Sequence, residues 1–176
     1  MNKAVSIIDT KAGNLFSLKA CLERIGKTVT VAATPDDLVG EQLVIPGQGH
    51  FGSVMKNLAQ AGWIDCLNDW RSEQKTILGI CVGMQMLFQK SEELGNHDGL
   101  GILQGKVTDL KINNSSVRVP HVGWNSVKFE EDFNLFKKND SEDFYFDHSY
   151  SFENPNNNYK LADCIHGKKF SAAVKN

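Results

Sequence analysis

One short stretch, ILGICVGMQML (residues 77–87), has residue types and spacing that fit nucleophilic chemistry. Its cysteine, Cys81, lies between Gly79 and Gly83, after an apolar run that predicts a strand and before a run that predicts a helix. This is the context of a nucleophile elbow, in which small flanking residues permit a sharp turn. A thiol at a helix N-terminus is expected to have a lowered pKa. The backbone N–H of Val82 would face the same space and stabilise an oxyanion. The alternative is a core cysteine, because cysteine is among the most buried residue types.

A glycine-rich loop, PGQGHFG (residues 46–52), follows the apolar strand LVI. Ligands of open α/β sheets bind at the carboxyl ends of strands, where this loop begins. Glycines at 47 and 49 allow several backbone N–H groups to point inward as part of an oxyanion hole. The alternative is a plain strand-to-helix turn, but the presence of a cysteine elbow favours the anion-stabilising interpretation.

A nucleophilic cysteine normally needs a general base, most often a histidine. Of the five histidines, only His148 follows a carboxylate directly, and Asp147 and His148 would point to opposite faces of a strand. The residues alone therefore leave the base unassigned among His50, His97, His121, His148 and His166.

The elements that must position Cys81 alternate between strands and helices over the first 90 residues. Compact apolar runs at 4–8, 28–32, 43–45 and 76–80 predict buried strands, and helical spacing is seen from 15 to 25 and from 54 to 64. TPDDL predicts a helix start, and MQMLFQ predicts another. This pattern indicates a mostly parallel sheet with helices on both faces. The second half predicts extended segments of an antiparallel extension, with a surface turn at NPNNN, 154–158.

Composition limits the classes of function. The chain has 176 residues and a formal net charge of −2, which fits a single domain, 1–176, and gives no basic surface for nucleic acid. It has no signal peptide and no apolar run near the roughly 18 residues of a membrane span, so we expect a cytoplasmic protein. The four cysteines lack C-x-x-C spacing, which argues against a disulfide framework or a zinc site.

The motifs together resemble a known family. GICVGMQML is similar to the nucleophile motif of the class I, triad-type glutamine amidotransferases. Within that family, the chain resembles the glutaminase subunits of imidazole glycerol phosphate synthases over nearly its whole length. The resemblance rests on IIDTKAGNL, VIPGQGHF, GICVGMQML, VPHVGWNSV, FYFDHSY and FSAAV.

The resemblance implies a glutaminase. Cys81 would attack the side-chain amide of glutamine, form a glutamyl thioester and release ammonia and then glutamate. Backbone groups of Gly47, Gln48, Gly49 and Val82 would form the oxyanion hole. Gln85 would contact the glutamine, and the amino-acid end would be held by His148, Ser149 and Tyr150.

The resemblance also implies a partner. Ammonia would pass to a (β/α)8-barrel cyclase that makes imidazole glycerol phosphate and aminoimidazole carboxamide ribotide in histidine biosynthesis. The implied interface comprises Asn14, Pro120, His121, Gly123, Trp124 and Asn125, and no metal or cofactor is implied. Two alternatives stay open: a partner that aminates sugars, and a non-catalytic subunit that only binds its partner.

The chain departs from the family pattern at several positions. Gln48 and Asp147 replace apolar residues, His50 replaces a small one, and Val82 replaces a leucine. The family's base and the glutamate that orients it follow the segment FSAAV, whereas this sequence stops at Asn176. The resemblance therefore implies a chain without its last strand and helix, with little glutaminase activity. We also expect AAV to lack a hairpin partner and to expose an unpaired edge.

Overall fold

The computed structural model describes residues 4–111, 117–153 and 159–176. The described helices are α1 (Leu15–Arg24), α2 (Phe51–Gln60), α3 (Trp63–Ser72) and α4 (Val82–Gln85), with one 3-10 turn at Pro35–Asp37. The first strands are β1 (Ala4–Ile8), β2 (Thr28–Ala32), β3 (Gln42–Ile45), β4 (Thr76–Gly79), β5 (Lys90–Ser91) and β6 (His97–Asp98). The later strands are β7 (Lys106–Asp109), β8 (His121–Phe129), β9 (Ser141–His148), β10 (Tyr150–Glu153), β11 (Lys160–His166) and β12 (Lys168–Val174).

A four-stranded parallel sheet, in the order β2-β1-β3-β4, forms the centre of the first half. Its strands are apolar on both faces because helices cover both of them. On one face, Leu15, Leu18 and Leu22 of α1 pack against a cluster that includes Val5 and Ile7. On the other face, α2 and α3 bury their apolar side chains in a larger cluster. The predicted parallel sheet with helices on both faces is confirmed.

The second half forms two further sheets, in the orders β10-β7-β5-β6 and β12-β11-β8-β9. Nearly all of their pairings are antiparallel, and β5 with β7 is the parallel one. The first of these sheets joins the main core through Phe88 and Phe152, whose rings stack at 4.2 Å. The predicted antiparallel extension is therefore confirmed, and it contains β8, β9 and β10.

The helix predicted from MQMLFQ is much shorter than expected, because α4 ends at Gln85. The carbonyls of Met86, Leu87 and Phe88 accept hydrogen bonds from the N–H groups of residues 100, 103 and 101 at 2.8, 2.8 and 3.1 Å. These carbonyls are thus directed to the loop at 100–103 and not to the i+4 N–H groups that would continue a helix. The predicted helix at TPDDL is likewise a single 3-10 turn, which begins at Pro35.

The expectation that AAV lacks a hairpin partner is wrong. The β12 strand pairs antiparallel with β11 through a turn at Gly167, and Ala173 lies opposite Ala162. On β4, an end strand of the parallel sheet, Leu78 is 51% exposed, and Ile80, directly after the strand, is 38% exposed. The turn predicted at 154–158 lies outside the described residues. In the described part of the chain, no helix is both long and apolar enough to cross a membrane.

Candidate active site

The predicted elbow is present at Cys81. This residue has φ 53° and ψ −117°, a conformation that L-residues seldom adopt, and it lies directly before α4. Its carbonyl accepts from the N–H groups of Met84 and Gln85 at 2.9 and 3.0 Å, which closes the turn. Cys81 is an exposed residue, so the alternative of a buried core cysteine is excluded.

Glycines surround the elbow because there is no room for a Cβ atom. A Cβ on Gly83 would lie 1.9 Å from the Ile45 carbonyl oxygen, and one on Gly79 would lie 2.6 Å from the Cα of Met84. A Cβ on Gly47 would lie 2.3 Å from the Gly83 nitrogen. The glycine-rich loop after β3 therefore packs directly against the turn that holds Cys81, as the sequence predicted.

Beyond Gly47, the loop becomes exposed. Gly47 is buried, whereas Gln48 is exposed and lies against Gly13, whose added Cβ would be 3.5 Å from that of Gln48. Gly49 has φ +95°, a conformation that favours glycine. Glu93 fixes the start of α2 by accepting from the Phe51 N–H at 2.7 Å.

The electrostatics at Cys81 differ from the prediction. Desolvation by the surrounding protein raises the pKa of the Cys81 thiol, although the residue as a whole is exposed. The carboxylates of Asp147 and Glu93 raise it further, because they repel a thiolate, while the Val82 N–H opposes them by donating to the sulfur. The predicted lowering by a helix N-terminus is wrong in this chain, since α4 has only four residues.

Gln85, His148 and Tyr150, which were predicted to hold glutamine, meet at one backbone carbonyl. The Gln85 Nε2 donates to the backbone carbonyl oxygen of Tyr150 at 3.0 Å, and His148 Nδ1 lies 2.9 Å from the same carbonyl oxygen. Gln85 is 6% exposed. Ser149, the third residue of this segment, accepts from the Leu110 N–H through its carbonyl at 2.8 Å. The structure therefore brings Gln85 and the segment from His148 to Tyr150 together from two distant parts of the chain, and their role towards glutamine stays a prediction.

Asn125 is partly exposed, whereas His121, which was also predicted at the partner interface, is 3% exposed and offers a partner almost no surface. Its Nδ1 lies 3.0 Å from His148 Nε2, and its Nε2 lies 3.1 Å from Asn125 Nδ2. The sequence analysis missed this chain of hydrogen bonds. The signal that could have found it is strand periodicity, which puts residues 121 and 125 on the same face of β8.

The other residues predicted at a partner interface lie at the surface. Trp124 is 72% exposed and meets Tyr145 of β9, 59% exposed, edge to face at 5.8 Å. Pro120 is exposed, and Gly123 has open space where a Cβ would be. Asn14 caps α1, because its Oδ1 accepts from the Ser17 N–H at 3.2 Å.

Two further histidines lie beside the glycine-rich loop. The rings of His50 and His97 meet edge to face at 5.5 Å, and an added Cβ on Gly52 would lie 2.5 Å from the His97 ring. Within the described residues, His50 Nδ1 and His97 Nε2 are buried without a hydrogen-bond partner. In that same part of the chain, no group of three or more His, Cys, Asp or Glu residues is arranged to hold a metal ion.

Comparisons with known proteins agree with this geometry. The family model described as glutamine amidotransferase class-I matches residues 6–176. The Bacillus subtilis protein named imidazole glycerol phosphate synthase subunit HisH is 37% identical over 174 residues, which are 97% of this chain and 82% of that protein. The Vibrio vulnificus protein named imidazole glycerol phosphate synthase subunit HisH 2 is 40% identical over 175 residues, covering 97% and 81%.

Solved structures support the fold. A crystal structure of a glutamine amidotransferase superimposes with a TM-score of 0.71 at 20% identity, covering 95% of this chain and 87% of that one. The structure of PurLQS from Thermotoga maritima gives a TM-score of 0.71 at 17% identity, covering 96% and 78%. The elbow, the loop against it and the family match over residues 6–176 lead to one conclusion: the chain belongs to the class I glutamine amidotransferase family.

Proposed function

We propose that this chain is the glutaminase subunit of an imidazole glycerol phosphate synthase, which supplies ammonia for histidine biosynthesis. The observation that carries the proposal is Cys81, held at φ 53° on an elbow against which the Gly47 loop packs. The relatives in Bacillus subtilis and Vibrio vulnificus support the choice of pathway by their names.

The proposed reaction is a two-step acyl transfer. The Cys81 thiolate attacks the side-chain amide carbon of glutamine, and the oxyanion is stabilised by N–H groups of Gly47, Gln48, Gly49 and Val82. Collapse of this intermediate breaks the carbon–nitrogen bond, the leaving nitrogen takes the proton that the thiol gave up, and ammonia departs. Water then hydrolyses the thioester to glutamate. No step requires a metal or an organic cofactor.

The base for the thiol proton is neither His121 nor His148. Both ring nitrogens of each histidine are engaged in hydrogen bonds, so neither ring has a nitrogen free to accept a proton from Cys81. Burial lowers the pKa of both histidines, which weakens them further as proton acceptors. The base is therefore a different group.

The proposed docking face for the cyclase is the outer side of the β8–β9 hairpin. Val122, Trp124 and Tyr145 are 56%, 72% and 59% exposed and lie on one side of the paired strands. Clustered aromatic side chains of this kind are enriched in protein interfaces. Asp147, opposite Val122, continues the same side and is close enough to Cys81 to raise the pKa of its thiol. We propose that a (β/α)8-barrel cyclase covers this face and receives the ammonia.

Glutamate release in the presence of the cyclase tests the function. We expect partner-dependent release of glutamate and ammonia in equal amounts, with a thioester on Cys81 visible by mass spectrometry after acid quenching. Cys81→Ala is expected to abolish both while leaving complex formation intact. A complex that forms but never releases glutamate would refute the glutaminase and favour the non-catalytic binding subunit. If the chain associates instead with a sugar-aminating enzyme, the histidine pathway is refuted and the glutaminase is retained.

A further inference from the structure

Five groups from three strands and one helix form a continuous series of hydrogen bonds. Asn125 Nδ2 lies 3.1 Å from His121 Nε2, and His121 Nδ1 lies 3.0 Å from His148 Nε2. The series ends at the Tyr150 carbonyl oxygen, 2.9 Å from His148 Nδ1 and 3.0 Å from the Gln85 amide nitrogen. We call these contacts the histidine relay, and none of the motifs that suggested the elbow predicted it.

The donor and the acceptor of every hydrogen bond in the histidine relay are determined by the groups at the two ends of the relay. A carbonyl oxygen can only accept, so His148 Nδ1 bears a proton and, in the neutral ring, His148 Nε2 accepts. His121 Nδ1 must then donate, and His121 Nε2 must accept from the Asn125 amide. The orientation of that amide is fixed independently, because its Oδ1 accepts from Ser126 N–H at 2.9 Å and its nitrogen donates to the Ile165 carbonyl at 3.0 Å. Each imidazole therefore has one tautomer and no free nitrogen.

An additional proton has no place in this series. Protonating either histidine would put an imidazole N–H against the Asn125 amide N–H, since both ring nitrogens would then donate. Burial, together with repulsion from His166 and His148, lowers the pKa of His121 to about 4. Burial is also the main cause that lowers the pKa of His148; His166 acts in the same direction, whereas the hydrogen bond to the Tyr150 carbonyl and the charge of Asp147 act against it.

The groups around the two rings agree with a fixed, neutral pair. Phe146 stacks on His121 at 4.6 Å, and Phe170 of β12 meets its edge at 5.9 Å. His166, at the end of β11, stacks on the His121 ring at 4.0 Å and donates its own Nε2–H to the Arg118 carbonyl at 2.7 Å. No carboxylate hydrogen-bonds to either ring among the described residues.

We propose that His121, oriented by Asn125, is a positioning residue of the glutamine site: it fixes the tautomer of His148 and thereby the Tyr150 carbonyl that holds Gln85. This rests on the proposed function, in which the segment from His148 to Tyr150 holds the amino-acid end of glutamine. His121 does not touch the substrate. Its effect is on substrate affinity rather than on the reactivity of the thiol, because Cys81 is not part of the relay.

Saturable labelling of Cys81 separates these two effects. The full chain is treated with diazo-oxo-norleucine, a glutamine analogue with an electrophilic carbon, and with iodoacetamide, which needs no amino-acid site. In His121→Phe, we expect the half-saturating analogue concentration to rise about tenfold, the fold-change for one lost hydrogen bond. The limiting labelling rate and the iodoacetamide rate are expected to stay within about twofold of the parent, because a change that affects only binding leaves these rates unaltered.

Two variants distinguish positioning from simple packing. His121→Asn retains an N–H donor near the position of Nδ1, and we expect it to recover most of the affinity. Val127→Ala empties space at a 3% exposed position on the same face of the same strand, without removing a hydrogen bond of the relay, and is expected to leave half-saturation unchanged. The proposal is overturned if His121→Phe binds like the parent, or if Val127→Ala weakens labelling as much. If His121→Phe fails to fold by circular dichroism, His121→Asn and the NMR measurement below decide instead.

Nitrogen NMR of the histidine rings tests the relay without any substrate. We expect His148 and His121 to bear their protons on Nδ1, His121 to remain largely neutral at pH 5 and His148 to titrate below its ordinary range, and His148 to change tautomer or titrate differently in His121→Phe. A proton on Nε2 of His148, or titration of either ring near its ordinary pKa, would overturn the proposal. If the parent shows these tautomers but is never labelled saturably, the proposed function fails, and the relay remains a structural feature without a substrate role.

Discussion

Gly83 is the position where one methyl group tests the packing of the elbow most directly. An added Cβ would lie 1.9 Å from the Ile45 oxygen and 3.0 Å from the Pro46 oxygen, whereas ordinary contact begins at 3.4 Å. The elbow and β3 would therefore have to separate by about 1.5 Å. Both neighbouring atoms are backbone oxygens within a packed core. They cannot move away by a change of rotamer, as side-chain atoms can. We expect Gly83→Ala to lower the free energy of unfolding by about 3 kcal/mol, at the upper end of overpacking costs.

Gly52→Ala is the matched control for this substitution. Its Cβ would also meet a close neighbour, the His97 ring at 2.5 Å, but that neighbour is a side chain that can move. Gly52 lies in the first turn of α2, where alanine gains up to about 1 kcal/mol over glycine. We expect a net change below about 1 kcal/mol. Urea unfolding of the parent and both variants gives the comparison, and equal midpoints for Gly83→Ala and the parent would refute the close packing of the elbow.

Other predictions concern the thiol and the buried imidazole. Cys81→Gly is expected to stabilise the chain by about 1 kcal/mol in thermal unfolding while Cys81→Ala does not, because only glycine relieves the strain of φ 53°; equal stability of the two variants would contradict this. Asp147→Asn is expected to shift the pH profile of Cys81 alkylation to lower pH, since it removes a carboxylate that raises the pKa of the thiol; Asp143→Asn on the same strand is the control, and an unchanged profile in Asp147→Asn would refute the effect. In the folded chain, the pKa of His121 is about 4, below its ordinary 6.5. The stabilisation that its neutral form gives is therefore fully present above pH 6.5 and is lost as pH falls towards 4. Denaturant titrations at several pH values should show a smaller loss of stability in His121→Phe than in the parent.

The sequence predicted those parts of the fold that depend on local pattern. The runs at 4–8 and 43–45 are compact and apolar because strands covered on both faces need apolar residues throughout, so their positions are visible without tertiary information. The elbow was predictable for a related reason: only glycine fits where β3 passes behind the turn at Gly83.

Features that depend on distant contacts were not predictable in the same way. The helix after Cys81 stops at Gln85 because a loop some fifteen residues later takes its carbonyls, and nothing in MQMLFQ indicates this. The pKa of the Cys81 thiol is raised mainly by burial under distant parts of the chain and further by the carboxylates of Asp147 and Glu93. The histidine relay requires β8 and β9 to pair in a register that puts His121 opposite His148.

That register also links the two surfaces of β8. Val122 and Trp124 point outward to the proposed docking face, whereas His121 and Asn125 point inward to the histidine relay. A partner that presses on the outer side chains acts on the same backbone that holds the inner ones. The relay bonds are 2.9 to 3.1 Å long, and lengthening one by about 0.5 Å is enough to lose it. A shift of β8 smaller than an ångström would thus alter the His148 tautomer and the Tyr150 carbonyl, so docking and glutamine affinity are expected to depend on one another through this strand.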